Sequence, residues 1–505
     1  MNTLLNGLKS ATNYTLTENG GLAHKSTLYP VYDLFALGGA YRQRSDDDCI
    51  FLFKKAFDVD PVYALKCLFY LRDCRGGAGE RRFFRVVCNW LAKNHTADMK
   101  RNLQWISEFG RWDDLINITY KTSLWDETVK IVKNQIMLDI IDYKENNGIS
   151  LLGKWMPSEN TSSQKTREMA NALRVGLGMT HKDYRKTLSA LREYIKVLER
   201  LMSENRWDEI DFSKIPSKAG LIYRNAFARR DMIKEKYEAF VKDDTQKVNA
   251  GTLYPYEVVA KAVEYCNLDG WYYGHRPEKD DPVERAAINK YWANIPNVLK
   301  DATLNALCVV DTSGSMTGSN ASAPINIAIS LGLYCAERAK GPFHNHYISF
   351  ASRPQLIATT GIDFVDKVKR IYETNLCDNT NLEAAFNLIL KTAVENRCKQ
   401  EDLPETILVI SDMQIDAAQG WNYRGASPAT MMENMRIKWA QYGYTMPNLV
   451  YWNANASRDT FLDDGPNVTY VSGASQNTFK QVITGKTGID LMLDTLDSER
   501  YACIE

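Results

Sequence analysis

Asp311-Thr312-Ser313-Gly314-Ser315 places one carboxylate and two hydroxyls within a single turn, directly after the apolar run Ala306-Leu307-Cys308-Val309-Val310. Hard divalent cations take oxygen ligands, and Mg2+ usually keeps several waters beside a few protein groups. An apolar strand that ends in such a turn can therefore present the first half of a cation site. Two later segments supply the same chemistry in order. Asp378-Asn379-Thr380-Asn381 is a polar loop before a helical pattern, and Thr406-Ile407-Leu408-Val409-Ile410-Ser411-Asp412 is a buried-strand run that ends in an acid.

This set resembles the von Willebrand factor A domain, in which Asp-x-Ser-x-Ser, a later Thr and a later Asp share one cation. The matching positions are Asp311, Ser313, Ser315, Thr380 and Asp412. The resemblance implies Mg2+ or another hard divalent cation, with an open coordination position for a partner carboxylate. One departure stands out: where the last strand usually continues Asp-Gly, this chain has Asp412-Met413-Gln414. His344-Asn345-His346 could face two rings to one side of a strand, but no nearby cysteine completes a zinc set.

The first part of the chain carries a different chemistry. Residues 71–85 read Leu-Arg-Asp-Cys-Arg-Gly-Gly-Ala-Gly-Glu-Arg-Arg-Phe-Phe-Arg, so Arg72, Arg75, Arg81, Arg82 and Arg85 flank a glycine turn. Such a turn before a helix N-terminus offers N–H groups to an anion, and guanidinium groups read phosphate with two parallel bonds. The lysine and hydroxyl ending of a phosphate-binding P-loop is missing. The alternative is an inter-helix turn in which Arg72 and Arg75 pair with Asp73 and Glu80. Lys154 in Gly153-Lys154-Trp155-Met156-Pro157, and Lys218, Arg224, Arg229 and Arg230 in the stretch 218–230, extend the basic-aromatic set. Arg111 with Asp113-Asp114 reads as a structural ion pair at a turn.

At 505 residues the chain exceeds one ordinary core, so two or more domains are expected. Its 45% hydrophobic and 25% charged residues are those of a globular protein, and no apolar run approaches the length of a membrane span. The start lacks a secretory signal pattern, and ten scattered cysteines with no Cys-x-x-Cys read as reduced thiols. Cytoplasmic residence is the expectation, in the host cytoplasm if the source is viral. Net charge is zero but uneven: residues 1–300 carry 46 Lys and Arg against 39 Asp and Glu, and residues 301–505 carry 16 against 23. A basic first part permits an anionic partner.

Periodicity divides the chain. Residues 1–267 are read as a helical domain, with helices at Asp60 to Leu71, Arg82 to Lys93, Leu124 to Tyr143, Thr166 to Leu173 and Lys182 to Ser203. Short helices joined by polar turns suggest a HEAT-like array that could close into a ring. Residues 268–300 are a connector, and its Trp271, Tyr272, Tyr273, Tyr291 and Trp292 are too many large aromatics for a solvated linker. Residues 301–505 alternate strands, at about 305–311, 345–351, 406–411, 447–452 and 468–472, with helices, which predicts a doubly wound α/β domain. The cation residues fall at carboxyl ends of its strands, where ligands sit in such sheets.

A helical array followed by an A domain resembles the Ro autoantigen (TROVE) architecture. Lys247-Val248-Asn249-Ala250-Gly251-Thr252-Leu253 is similar to a stretch near the end of that helical domain. Arg-Asp-x-Arg-Gly-Gly-x-Gly-Glu-Arg (72–81), Lys-Trp-x-Pro (154–157), Pro-Ser-Lys-Ala (216–219) and Asp-Thr-Ser-Gly-Ser-Met (311–316) resemble a family of uncharacterised phage, large-DNA-virus and plant proteins over nearly the whole chain. The Ro resemblance implies a helical ring that holds RNA, here through Arg72, Arg75, Arg81, Arg82, Arg85, Lys154, Lys218, Arg224, Arg229 and Arg230. The expectation is a non-enzymatic, monomeric RNA-binding protein. Its rival is a module that binds an acidic protein partner through the metal, without RNA.

Overall fold

The computed structural model describes residues 9, 12–268, 277–302, 304–318, 320–350, 353–374, 381–415, 431–463 and 465–505. From Pro30–Leu37 to Pro255–Tyr265 the chain is helical throughout. Local signals set the helix starts. Asp60 caps Pro61–Arg72 by accepting from the Tyr63 N–H at 3.0 Å, with proline at the first position. Glu80 caps Arg81–Asn94, whose buried face is Phe83, Phe84, Val87, Cys88 and Leu91. The long helix expected over 182–203 is two helices, His181–Tyr194 and Leu198–Ser203, broken where Lys196 takes φ 46°. No Gly or Pro marks that break, so the apolar period runs across it unseen.

The helices curve round a cavity of about 1910 Å³, lined by residues between 42 and 257. The end of the array returns to its start. Tyr254 Oη donates to the Gly79 carbonyl at 3.1 Å, and the Arg42 guanidinium lies over the Tyr256 ring at 5.4 Å. Gly79 sits at φ 69°, and any Cβ there would collide with the Tyr254 hydroxyl.

The later part is an α/β domain. Strands β3 (Ala306–Asp311), β4 (His346–Phe350), β5 (Leu356–Ala358), β6 (Thr406–Ser411), β7 (Asn448–Asn453) and β8 (Val468–Ser472) form one sheet in the order β5-β4-β3-β6-β7-β8. All neighbours are parallel except the edge pair β4–β5. The order reverses at β3, which has β4 on one side and β6 on the other, so the carboxyl ends of β3 and β6 flank the crevice where such sheets bind ligands.

The helical reading of the first residues needs correction. Strands β1 (Tyr14–Leu16) and β2 (Leu22–His24) form a hairpin, and His24 bridges to Phe461 of the α/β part. Three-residue strands are too short for their alternation to register. Further bonds join the two parts: the Gly39 N–H donates to Ser472 Oγ at 3.0 Å, and Tyr70 Oη to Gln481 Oε1 at 3.0 Å. The connector supplies helix Pro282–Ala293, in which Tyr291 and Trp292 are buried. Trp292 stacks on Phe364 at 4.2 Å and donates to Glu337 at 2.7 Å, while Lys290 donates to the Asp243 carbonyl at 2.6 Å. Trp271, Tyr272 and Tyr273 lie outside the described residues.

Because Trp292 anchors to the α/β part a helix that also packs on the array, Trp292→Ala should cost about 3–5 kcal/mol and lower one shared unfolding transition. Denaturation followed by far-UV circular dichroism and tryptophan fluorescence tests this. Two separate transitions, only one of them shifted, would contradict a single packed body.

Candidate cation site and nucleic-acid interface

β3 delivers Asp311 fully buried at its carboxyl end. The Ser313 N–H donates to Asp311 Oδ1 at 2.9 Å, which folds the turn back and leaves Ser313 Oγ and Ser315 Oγ 3.2 Å apart. Ser411, the last residue of β6, donates its hydroxyl to Asp311 Oδ2 at 2.5 Å and accepts from the Met413 N–H at 3.0 Å. Met413 adopts φ 64° with its side chain buried. The left-handed turn expected of glycine is thus kept by a methionine, at a conformational cost. Asp412, also buried, follows β6 on the same rim.

Burial first, and then the Asp412 charge, push the Asp311 carboxyl up to about 7. Burial likewise raises Asp412, with a smaller contribution from Glu18. Among the described residues no ion pair reaches either acid. Two buried carboxylates beside two convergent hydroxyls make an oxygen-only donor set, which fits a hard divalent ion. Thr380 lies outside the described residues. The described residues contain no cluster of three or more His, Cys, Asp or Glu, so any cation here rests on mixed carboxylate and hydroxyl ligands. Neither Ser411 as the brace of Asp311 nor the hairpin turn above the site is legible from residue types alone. There Thr17 Oγ1 donates to the Ile415 carbonyl at 2.6 Å and Asn19 Nδ2 to the Gln414 carbonyl at 2.7 Å.

The second centre is the basic wall of the cavity. The turn after Pro61–Arg72 does not pair internally as one reading expected. Arg72 is buried and pairs with Asp114 at 2.7 Å, Asp73 is held by Arg500 and Tyr501, and Glu80 pairs with Arg42 at 2.7 Å. Arg81 and Arg85 both reach Asp113, at 2.6 and 2.9 Å, and both also touch Asp114. Arg111 binds Asp113 through two bonds of 2.8 and 2.9 Å, which makes it the ion pair expected. Four guanidiniums thus share two carboxylates. Burial, followed by repulsion from Arg85 and Arg111, lowers the pKa of Arg81. Burial would raise Asp114, but Arg72 and Arg85 outweigh it and hold the carboxyl below its usual range.

Arg72, Arg75, Arg81, Arg82, Arg85, Lys154 and Lys218 all line the cavity. Their freedom differs. Arg72 is an internal brace, Arg82 pairs with Asp46, and Lys218 with Glu257 at 2.5 Å. Arg75 is exposed and donates to the Glu108 carbonyl at 2.6 Å. Arg224 is corrected: it is buried, pairs with Glu284 at 2.5 Å and ties the connector helix to the array. Arg229 and Arg230 do not line the cavity and lie on the outside of the array; Arg230 lies over Trp207 at 5.0 Å. Their near-helical spacing with Arg224 could not tell an inner face from an outer one. Arg42, Arg111 and Trp155 were missed as lining residues, since residues far apart in sequence meet only when the array curves.

Residues 17–137 and 175–304 match a domain of unknown function, DUF2828, and residues 305–499 match another, DUF7788. The chain is 28% identical to an uncharacterized protein of Acanthamoeba polyphaga mimivirus over 94% of its own length and 85% of that protein. Among solved structures it is similar to the Ro (RSR) protein of Deinococcus radiodurans. That likeness has a TM-score of 0.49 and 17% identity, and covers 94% of this chain and all of that one.

The buried acids make a pH prediction. Both carboxyls hold protons more tightly folded than unfolded. The contribution of Asp311 to stability is therefore present below the ordinary carboxyl value of 3.8 and is lost as pH rises through about 7, and that of Asp412 is lost likewise as pH rises above the ordinary value. A cation competes with those protons, so Mg2+ should raise Tm more near pH 8 than near about pH 5.5. Asp311→Asn should remove that increment. Equal Mg2+ effects on wild type and variant in a thermal-shift series would eliminate the site.

Proposed function

We propose that this protein binds RNA in the arginine-lined cavity of its helical part, braced by an A domain that takes Mg2+ or a similar cation. The carrying observation is the sharing of two carboxylates by Arg72, Arg81, Arg85 and Arg111 on one cavity wall. The surplus of positive charge, with Arg75 and Lys154 beside it, matches a phosphate backbone. Trp105, Trp112, Tyr194 and Tyr223 also line the cavity. Aromatic faces suit bases that are unpaired and splayed, which favours single-stranded or loop RNA over duplex DNA. At the cation centre Asp311, Ser313, Ser315 and Asp412 would be the ligands, with Thr380 carried from the resemblance. The reading is of a binding protein rather than an enzyme. No described helix is long and apolar enough to cross a membrane.

A second reading, capture of an acidic protein partner through the cation, is favoured by the buried acids Asp311 and Asp412, which no ion pair reaches among the described residues. It predicts cation-dependent association without nucleic acid.

RNA affinity should fall with salt at a log–log slope of roughly 0.7 per phosphate contact. Replacing Arg75, Arg81 and Arg82 together by Ala should weaken binding and flatten the slope, while leaving the Mg2+ response intact. An unchanged slope removes this wall from the interface. No binding by wild type at low salt sinks the RNA reading and promotes the second one.

A further inference from the structure

The two stretches that match DUF2828 stop at 137 and resume at 175, so residues 138–174 lie outside that match. This segment returns to the cavity through the short helix Leu152–Trp155. Its position is fixed by packing. Leu152 is fully buried, and the Arg192 guanidinium donates to the Gly153 carbonyl, the Met156 carbonyl and Ser158 Oγ, each at 2.8 Å. Trp155 is thereby held half-buried on the cavity wall, and it also borders a second, smaller cavity of about 460 Å³. The Arg111 guanidinium lies 4.0 Å from the centre of the indole. Arg111 is itself locked by two bonds to Asp113. An indole and a guanidinium stacked in place, at the edge of a wall with surplus positive charge, form a platform whose rotamer entropy is already spent.

We propose that the Trp155–Arg111 pair is a base-stacking platform, and that the segment 138–174 thereby makes the cavity favour strands that carry bases over bare phosphate chains. The inference rests on the RNA reading and goes beyond it. The Arg81–Arg85 cluster attracts any polyanion, whereas a stacked platform rewards only a π-face. Planar guanidinium and indole surfaces tolerate any base, so the selectivity is for base-bearing single strands and not for a sequence.

The experiment measures binding of the full chain to two fluorescent probes of equal length, oligoadenylate and an abasic sugar-phosphate oligomer. Wild type should bind oligoadenylate more tightly. Trp155→Ala should lose about 5- to 100-fold for oligoadenylate and little for the abasic strand, with an unchanged salt slope. Trp155→Phe keeps a ring and should retain most of the affinity, which separates stacking from a packing defect. Equal losses for both probes would overturn the platform, as would no loss in Trp155→Ala, or a Phe variant that melts normally yet binds like Ala. Failure of wild type to bind either probe would instead fell the RNA reading itself.

Discussion

A fully buried carboxylate, Asp114, organises the helical part. It accepts two bonds from Arg72, one each from Arg81 and Arg85, and one from the Arg111 N–H at 3.1 Å. A buried charge is tolerated only when paired and hydrogen-bonded, and removing one partner typically costs about 3–5 kcal/mol. Asp114 therefore obliges several arginines to converge from separate elements. Among the described residues Asp113 is the one other acid paired with them, so the convergence leaves positive charge over. That surplus faces the cavity, so one constraint holds the helices together and also creates the surface that suits an anion.

The Arg-Asp-x-Arg-Gly-Gly-x-Gly-Glu-Arg segment is the joint through which this constraint reaches the rest of the molecule. Arg72 goes to Asp114, Asp73 to Arg500 and Tyr501 near the C-terminus, and Glu80 to Arg42. The backbone between them doubles back, with the Ala78 N–H on the Tyr70 carbonyl at 3.2 Å and the Glu80 N–H on the Leu71 carbonyl at 2.6 Å. Gly79 lets Tyr254 close the array. Few of these residues are free to wrap a phosphate as a loop would; the motif aims the helix that begins at Arg81. The α/β part contributes through the same joint, since its last helical turn carries Arg500.

Much of the α/β part was legible because buried parallel strands are continuous apolar runs. The strand at Thr406–Ser411 was placed to the residue, and Asp311 and Asp412 fall at strand ends as expected. The antiparallel edge strand β5 was missed, because its three residues Leu356–Ala358 are largely exposed and carry no burial pattern. Helix Gly488–Leu496 does not stand out in the sequence, because it is nine residues long and opens on a glycine. The cavity wall was half legible. Clustered arginines within 72–85 announced themselves, but Arg42, Arg111 and Trp155 join them only through curvature of the array. Arg224 shows the converse: a basic residue on an amphipathic helix can serve the core when an acid such as Glu284 arrives 60 residues later.

Photocrosslinking tests the central claim most directly. A single-stranded RNA carrying 4-thiouridine would be bound at low salt, irradiated, and its attachment sites mapped by mass spectrometry on the full chain. The account predicts adducts on peptides that line the cavity, around 75–86, 104–112 and 151–156, with competition by unlabelled RNA. Adducts confined to the outer surface around 205–209 and 229–230, or none that RNA competes away, would contradict it.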